Sequence, residues 1–253
     1  PRRLTSAADI RAAVGSDPYV SYDIAPAELA SAVAVGGAVA VQRQLKKHGI
    51  SQIFFGDDGD IESLIVWLLD EAAHMDTVPF HMAQVPSAAL PALKPQAILG
   101  RGDQWYWMWT QAAPAEVPWE DRVVELNEDT DGKAITRFLK QASPLSSCLP
   151  GDGRNQRWIG VRGERGEILG TIGVYPTPAG YAHLASVAVA EKLRGTGLGK
   201  AMLAVAVRRA VEDKGVCTLG MYDSNEAAER LYRSLGFSIA HHWATYHVVA
   251  GKS

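Results

Sequence analysis

The segment Val187-Ala-Val-Ala-Glu-Lys-Leu-Arg-Gly-Thr-Gly-Leu-Gly-Lys-Ala-Met-Leu203 constrains this chain more than any other. It reads as the end of a strand, a glycine turn, and a helix beginning on that turn near Leu198. Arg194, Gly195, Gly197 and Gly199 stand where the backbone must curl tightly. Glycine reaches positive φ and carries no Cβ, so successive N–H groups can point into one concavity. The first turn of the helix adds unpaired donors and the positive end of its dipole. The guest expected at such a corner is an anion, a phosphate or pyrophosphate.

Three kinds of glycine turn compete for this segment. A Walker A loop needs G-x-x-x-x-G-K-[ST], but position 194 is Arg and Ala201 stands where a hydroxyl should meet magnesium. A dinucleotide fingerprint needs G-x-G-x-x-G, but Lys200 follows Gly197 by three. The spacing R-x-x-G-x-G is met, by Arg194, Gly197 and Gly199. After a helix (198 to about 214) and a short strand (216–221) comes Asp223-Ser-Asn-Glu-Ala-Ala-Glu-Arg-Leu-Tyr-Arg-Ser-Leu-Gly-Phe237. There Asp223 or Ser224 can cap a helix whose apolar face is Ala227, Ala228, Leu231, Tyr232 and Leu235, with Gly236 as its stop. The two segments together resemble the signatures of the GNAT superfamily of N-acetyltransferases, the second being N-x-x-A-x-x-L-Y-x-x-x-G-F at Asn225, Ala228, Leu231, Tyr232, Gly236 and Phe237. The resemblance covers roughly residues 120–250.

Composition describes an ordinary globular chain: 47% hydrophobic and 21% charged residues, with no apolar run of membrane-spanning length. The opening Pro-Arg-Arg-Leu-Thr-Ser lacks the apolar stretch of a signal peptide, and two distant cysteines, Cys148 and Cys217, suggest a reducing compartment. The cytoplasm is the expected location. A net charge of −3 gives no electrostatic footprint for nucleic acid.

The proline-spaced stretch 111–119 is the natural linker between a divergent domain at 1–115 and a second domain at 120–253. Beyond it the patterns predict strands at 123–126, 157–162, 167–175 and 181–189 and a helix at 129–142. The order β-α-β-β-β-α-β-α-β is that of a GNAT domain, apart from a short second helix that would have to lie within 143–153. The expected fold class is therefore α/β with a mixed sheet, and the resemblance implies a GNAT acyl-CoA N-acyltransferase fold. The first 110 residues offer a strand at 53–55, a helix bearing Ile61, Leu64, Ile65, Leu68 and Leu69, and an alternating strand with Trp105, Trp107 and Trp109. This is compatible with a degenerate GNAT-like half in tandem, lacking a phosphate turn and not expected to bind coenzyme A. Asp57-Asp-Gly-Asp60 is read as helix capping, because Leu68 occupies the place where a calcium loop needs Glu.

The resemblance implies acetyl-coenzyme A as cosubstrate, no metal, and direct transfer of the acetyl group to a primary amine. It assigns the diphosphate to Arg194, Gly195, Thr196, Gly197, Leu198, Gly199 and Lys200. It assigns the pantetheine arm to backbone at Val187 and Val189, on a strand that bulges and splays from its neighbour. The Val189 N–H becomes the carbonyl-polarising donor, a contribution of about 3 kcal/mol. Asn225 bonds the arm or holds the turn open. Tyr232 meets the departing sulfur. His183, six residues before Val189, stands at the position of the general base, with ordered water as the alternative; Glu191 lies past the strand. His241 or His242 is a candidate wall of the acceptor pocket. Two other activities share these features: acylation of an amino acid such as glycine, and a coenzyme-binding regulatory module without catalysis. The expected partner is a small-molecule amine, not nucleic acid or membrane, and the protein a monomer or homodimer.

Overall fold

In the computed structural model the described residues are 1–29, 31–45, 49–74, 80–94, 98–154 and 157–249. They form two compact units, one of residues 1–107, 222–224 and the chain from Ala240 on, the other of 108–221 and 225–239. The division falls at 107/108, ahead of the boundary at 115–120 that the prolines suggest.

The second unit opens with β7 (Val123–Leu126) and continues α5 (Glu128–Ala142), β8 (Arg157–Arg162), β9 (Ile168–Pro176), β10 (Ala182–Val189), α6 (Leu198–Lys214), β11 (Cys217–Tyr222) and α7 (Glu226–Arg233). The first unit holds β1 (Arg2–Leu4), α1 (Ala7–Val14), α2 (Pro18–Tyr22), β2 (Ala32–Val35), β3 (Ala38–Leu45), β4 (Gly49–Phe55), α3 (Asp58–His74), β5 (Met82–Pro86), α4 (Leu90–Leu93) and most of β6 (Ile98–Thr110). The last strand, β12 (Ser238–Val249), runs antiparallel to β5, with Trp243 opposite Pro86 and His247 opposite Met82. No sequence pattern announces that the C-terminal strand is spent on the first unit's sheet.

Both units repeat one plan. In the first, β1, β2, β3 and β4 pair antiparallel in turn and β4 pairs parallel with β5. In the second, β7, β8, β9 and β10 do the same, and β10 pairs parallel with β11. The structure thus has the mixed α/β sheet expected and repeats it in tandem. Each core is a helix laid on a sheet. In the first unit Ile61, Leu64 and Ile65 of α3 bury against Phe54, Ala83 and Val85, while Leu68 and Leu69 sit partly buried at the margin. In the second, α5 turns Ile135 and Leu139 onto Trp158 and Ile168. Asn127 caps α5 by accepting from the N–H groups of Asp129 and Thr130, and three acidic residues fill its first turn.

Three sequence expectations need correction. Residues 143–153 hold turns and no helix; Asp152 accepts from the N–H groups of Leu149 and Arg154, a local pairing that competes with helical bonding. Helix α7 is capped by Asn225, whose Oδ1 accepts from Ala228 N–H at 3.1 Å, and not by Asp223 or Ser224. The stretch 111–119 is docked to α6 instead of hanging free: Arg208 donates to Pro114 C=O at 3.2 Å and grips Glu120 through two bonds of 2.9 Å. A bidentate pair of this kind is well suited to fix a segment with no regular structure.

Gly236, at φ 89°, closes α7, and a Cβ there would meet Ala112 Cβ at 3.3 Å and Thr110 Oγ1 at 3.4 Å. Gly236→Ala is expected to lower unfolding stability by roughly 1–3 kcal/mol, from the forced positive φ and the crowding. A urea denaturation midpoint equal to that of the wild type would contradict this.

Candidate active site

The site grows from an interruption of the sheet. Strand β10 follows β9 in regular register to Ala185, then slips, resuming at Ala188 opposite Thr171. Ser186 occupies the slip at φ 51°, a left-handed conformation for a non-glycine residue. Its Oγ donates to Cys148 C=O at 2.6 Å, fastening the 143–153 turns to the bulge. The parallel ladder with β11 covers only Ala182–Leu184 against Cys217–Leu219. From Ala185 to Val189, β10 has no partner in β11. The N–H of Ala190 donates to Leu169 C=O on the β9 side at 2.8 Å. Strand alternation therefore turns the Val189 N–H the other way, toward the side where the ladder has ended.

The chain then enters the glycine turn. Gly195 (φ 78°) and Gly197 (φ 92°) both take the left-handed conformation, and Gly197 is the residue from which α6 starts. No side chain caps that end, and the first helical bond runs from Ala201 N–H to Gly197 C=O. The N–H groups of Gly195, Gly197, Leu198, Gly199 and Lys200 have no acceptor among the described residues. A Cβ on Gly195 would meet nothing within 4 Å, so the concavity is open; at Gly199 it would press on Val189 Cγ2 at 3.3 Å. Thr196 Oγ1 donates to Leu193 C=O at 2.7 Å, and Arg194 donates at 3.0 Å to the C=O of Ala142, the last residue of α5. The guanidinium expected at the diphosphate is engaged there instead. These donors fit a diphosphate: five N–H groups without acceptors among the described residues stand at a helix start whose first turn holds no acidic residue.

Tyr232 is buried on α7, its ring edge-on to Phe237 at 6.0 Å between centroids. Its hydroxyl has no partner among the described residues, and burial pushes its pKa up to about 12. His183 is half-buried on β10. Its Nδ1 lies 2.9 Å from Thr218 Oγ1, which itself donates to Ala182 C=O, so Nδ1 carries the proton and Nε2 the lone pair. Tyr175 packs on the imidazole at 5.1 Å between centroids, and the Arg154 guanidinium lies over the Tyr175 ring at 5.0 Å. Burial, then the positive charge of Arg154, push the His183 pKa down to about 4. Asn225 spends its Oδ1 on the cap, and its amide N–H groups have no acceptor among the described residues. In the first unit, His241 stacks on Trp243 and lies 2.8 Å from Asp17, while His242 lies 3.0 Å from Asp223 and against Tyr106.

The strand, the turn and the helix fit one architecture. The profile of the acetyltransferase (GNAT) family matches residues 103–237, more than half of the chain. The chain belongs to the GNAT family. Membership carries acyl transfer to an amine as the family's general chemistry. Similar solved structures include a GCN5-related N-acetyltransferase from Kribbella flavida (16% identity, 97% of this chain and 96% of that one, TM-score 0.54). Another, from Sphaerobacter thermophilus, shares 18% identity over 83% of this chain and 75% of that one, with a TM-score of 0.55. A GNAT acetyltransferase from Colwellia psychrerythraea shares 13% over 87% and 85%, with a TM-score of 0.53. At these identities the likeness is one of fold. No curated protein matches in sequence. Among the described residues of this GNAT protein, no helix is long and apolar enough to cross a membrane, and no three acidic, His or Cys side chains gather as metal ligands.

Sequence reading missed Ser186, Thr218, Tyr175 and Arg154. Thr218 was visible only as one polar residue in an apolar strand, and nothing marked the other three.

The depressed His183 pKa fixes a sign. Folding favours the neutral ring, so its contribution to stability is complete above about pH 6.5 and is lost as pH falls toward 4. The His183 ring resonances are expected to hold still in an NMR titration from pH 8 to 5.5. A midpoint near 6.5 would refute the buried, Thr218-bonded state.

Proposed function

We propose that the protein is an acetyl-coenzyme-A-dependent N-acetyltransferase that acetylates a small primary amine by direct transfer. Acetyl-coenzyme A, when bound, supplies the activated acetyl thioester. The observation that carries the reading is the set of unpaired N–H groups at Gly195, Gly197, Leu198, Gly199 and Lys200 beside an unladdered strand edge. The turn holds the diphosphate, with Arg194 bracing it from α5 and Thr196 and Lys200 flanking it. Backbone at Val187 and Val189 pairs with the pantetheine arm as an added strand would. The Val189 N–H donates to the carbonyl oxygen as charge builds on it.

The amine nitrogen bonds to the acetyl carbon, the C–S bond breaks, and two proton movements complete the balance. His183 Nε2 takes the amine proton. With a pKa of about 4 it is too weak to strip a free ammonium ion of pKa near 10.4, a transfer uphill by roughly 9 kcal/mol. It acts on an amine that arrives neutral, and only as the N–C bond forms and the nitrogen becomes acidic. Tyr232 faces the sulfur. Its phenol, raised to about 12, would give its proton to a thiolate of ordinary pKa near 8.5 only at a cost of roughly 5 kcal/mol. Tyr232 therefore works as a hydrogen-bond donor to the developing thiolate, and solvent completes the protonation. Asn225 uses its amide N–H groups toward the pantetheine arm.

The acceptor side is bounded by the 143–153 turns, which Ser186 fastens to β10. Amino-acid acylation would use the same residues and differ only in what these turns admit.

Tyr232→Phe is expected to lower kcat by roughly 10-fold or more, in keeping with loss of a single charge-directed donor, with the Kd for coenzyme A nearly unchanged. Free-thiol release across a panel of amines measures the first and calorimetry the second. Equal turnover in the variant would remove Tyr232 from the chemistry. Coenzyme binding with no thiol release on any amine would favour a regulatory module instead.

A further inference from the structure

We infer that Trp119 is the stacking wall for the adenine ring of coenzyme A. The inference rests on the reading of the glycine turn as the diphosphate site, and extends it to a residue outside both signatures.

Among the described residues only two that are not glycine have positive φ, Ser186 and Trp119. Ser186 is explained by its bulge. Trp119 sits at φ 79°, ψ 2°, a conformation rare and strained for a bulky aromatic. It is also 46% exposed, an open position for so large an apolar ring.

The surroundings over-determine this backbone. Glu120, the next residue, receives both Arg208 N–H bonds at 2.9 Å and the Val117 N–H at 2.9 Å. Arg208 also ties down Pro114 C=O, and Arg122 N–H closes back on Trp119 C=O at 3.1 Å. These bonds hold the residue in its strained state without burying its ring.

The ring lies against the turn. A Cβ built on Gly197 would lie 3.8 Å from Trp119 Cδ1 and 4.0 Å from Nε1. Gly197 is the second of the two left-handed glycines whose N–H groups lack acceptors. Arg122 lies 5.5 Å from the ring centroid, and the ring's exposure leaves room for a planar guest. A coenzyme held by its diphosphate at this turn sends its pantetheine arm along β10 and its adenosine the other way. Adenine is the planar aromatic group that leaves the diphosphate in that direction, and an exposed indole binds such a face by stacking.

The test uses the whole protein, coenzyme A and its fluorescent 1,N6-etheno analogue. Trp119→Gly removes the ring and suits the positive φ, so its melting temperature should match or exceed the wild type's. Its Kd for coenzyme A should rise roughly 5- to 150-fold, the range for loss of one base–aromatic stack. Trp119→Phe should fall between the two. The etheno emission should be quenched on saturating wild type and restored on Trp119→Gly. Wild-type affinity in Trp119→Gly, or equal quenching in both proteins, would overturn the inference while leaving the coenzyme site standing. Failure of the wild type to bind coenzyme A would overturn both.

Discussion

Backbone N–H groups without protein partners are the constraint on which this structure turns. The first turn of any helix leaves its N–H groups without intrahelical partners, and water, a cap or a ligand must take them. Here five of them, without acceptors among the described residues, gather between Gly195 and Lys200 at the positive end of a 17-residue helix. The same economy governs β10: its edge toward β11 is unladdered beyond Leu184. A slip at Ser186 makes this possible, because it redirects the strand without ending it. Bulge, open edge and bare helix start are therefore one feature, a place where the sheet keeps donors for a guest.

The first unit shows what the same plan becomes without that feature. Its strand β4 also leads into a helix, α3, through Gly56-Asp57-Asp58-Gly59-Asp60. Three carboxylates crowd this helix start, where the second unit has none. Asp60 is committed to the Gly37 N–H at 2.9 Å, and Asp57 C=O accepts the first helical bond from Ile61. The dipole that would favour an anion is answered by the chain's own acids. On the opposite face of the sheet Arg43 pairs with Glu28, and Asp23 accepts from Trp107 Nε1. The electrostatics of the two units have diverged under a common topology.

Much of this was legible in the sequence, for reasons that differ by element. The strands at 123–126 and 157–162 and helix α6 are readable as apolar runs bounded by turn residues, although α6 is buried without a break from Ala201 to Val207 and so shows no single apolar face. The turn at 194–200 was readable because few residue types reach positive φ. The missing helix at 143–153 was hidden by its own chemistry, Asp152 offering the backbone local partners. The docking of 111–119 depends on Arg208, about ninety residues away, and no local pattern predicts such a pair. The resemblance places Arg194 at the diphosphate, and its guanidinium reaches Ala142 C=O. Spacing fixes where a side chain starts, and packing decides where it ends. The protonation states of His183 and Tyr232 were equally out of reach, since both are set by burial and by neighbours distant in sequence.

The most direct measurement of the central claim is an amide-resolved titration of 15N-labelled protein with coenzyme A. The account requires the N–H resonances of Gly195, Gly197, Leu198, Gly199 and Lys200 to shift together and become protected from exchange as the coenzyme saturates. Saturable binding with those five amides unmoved would place the diphosphate elsewhere and contradict the account.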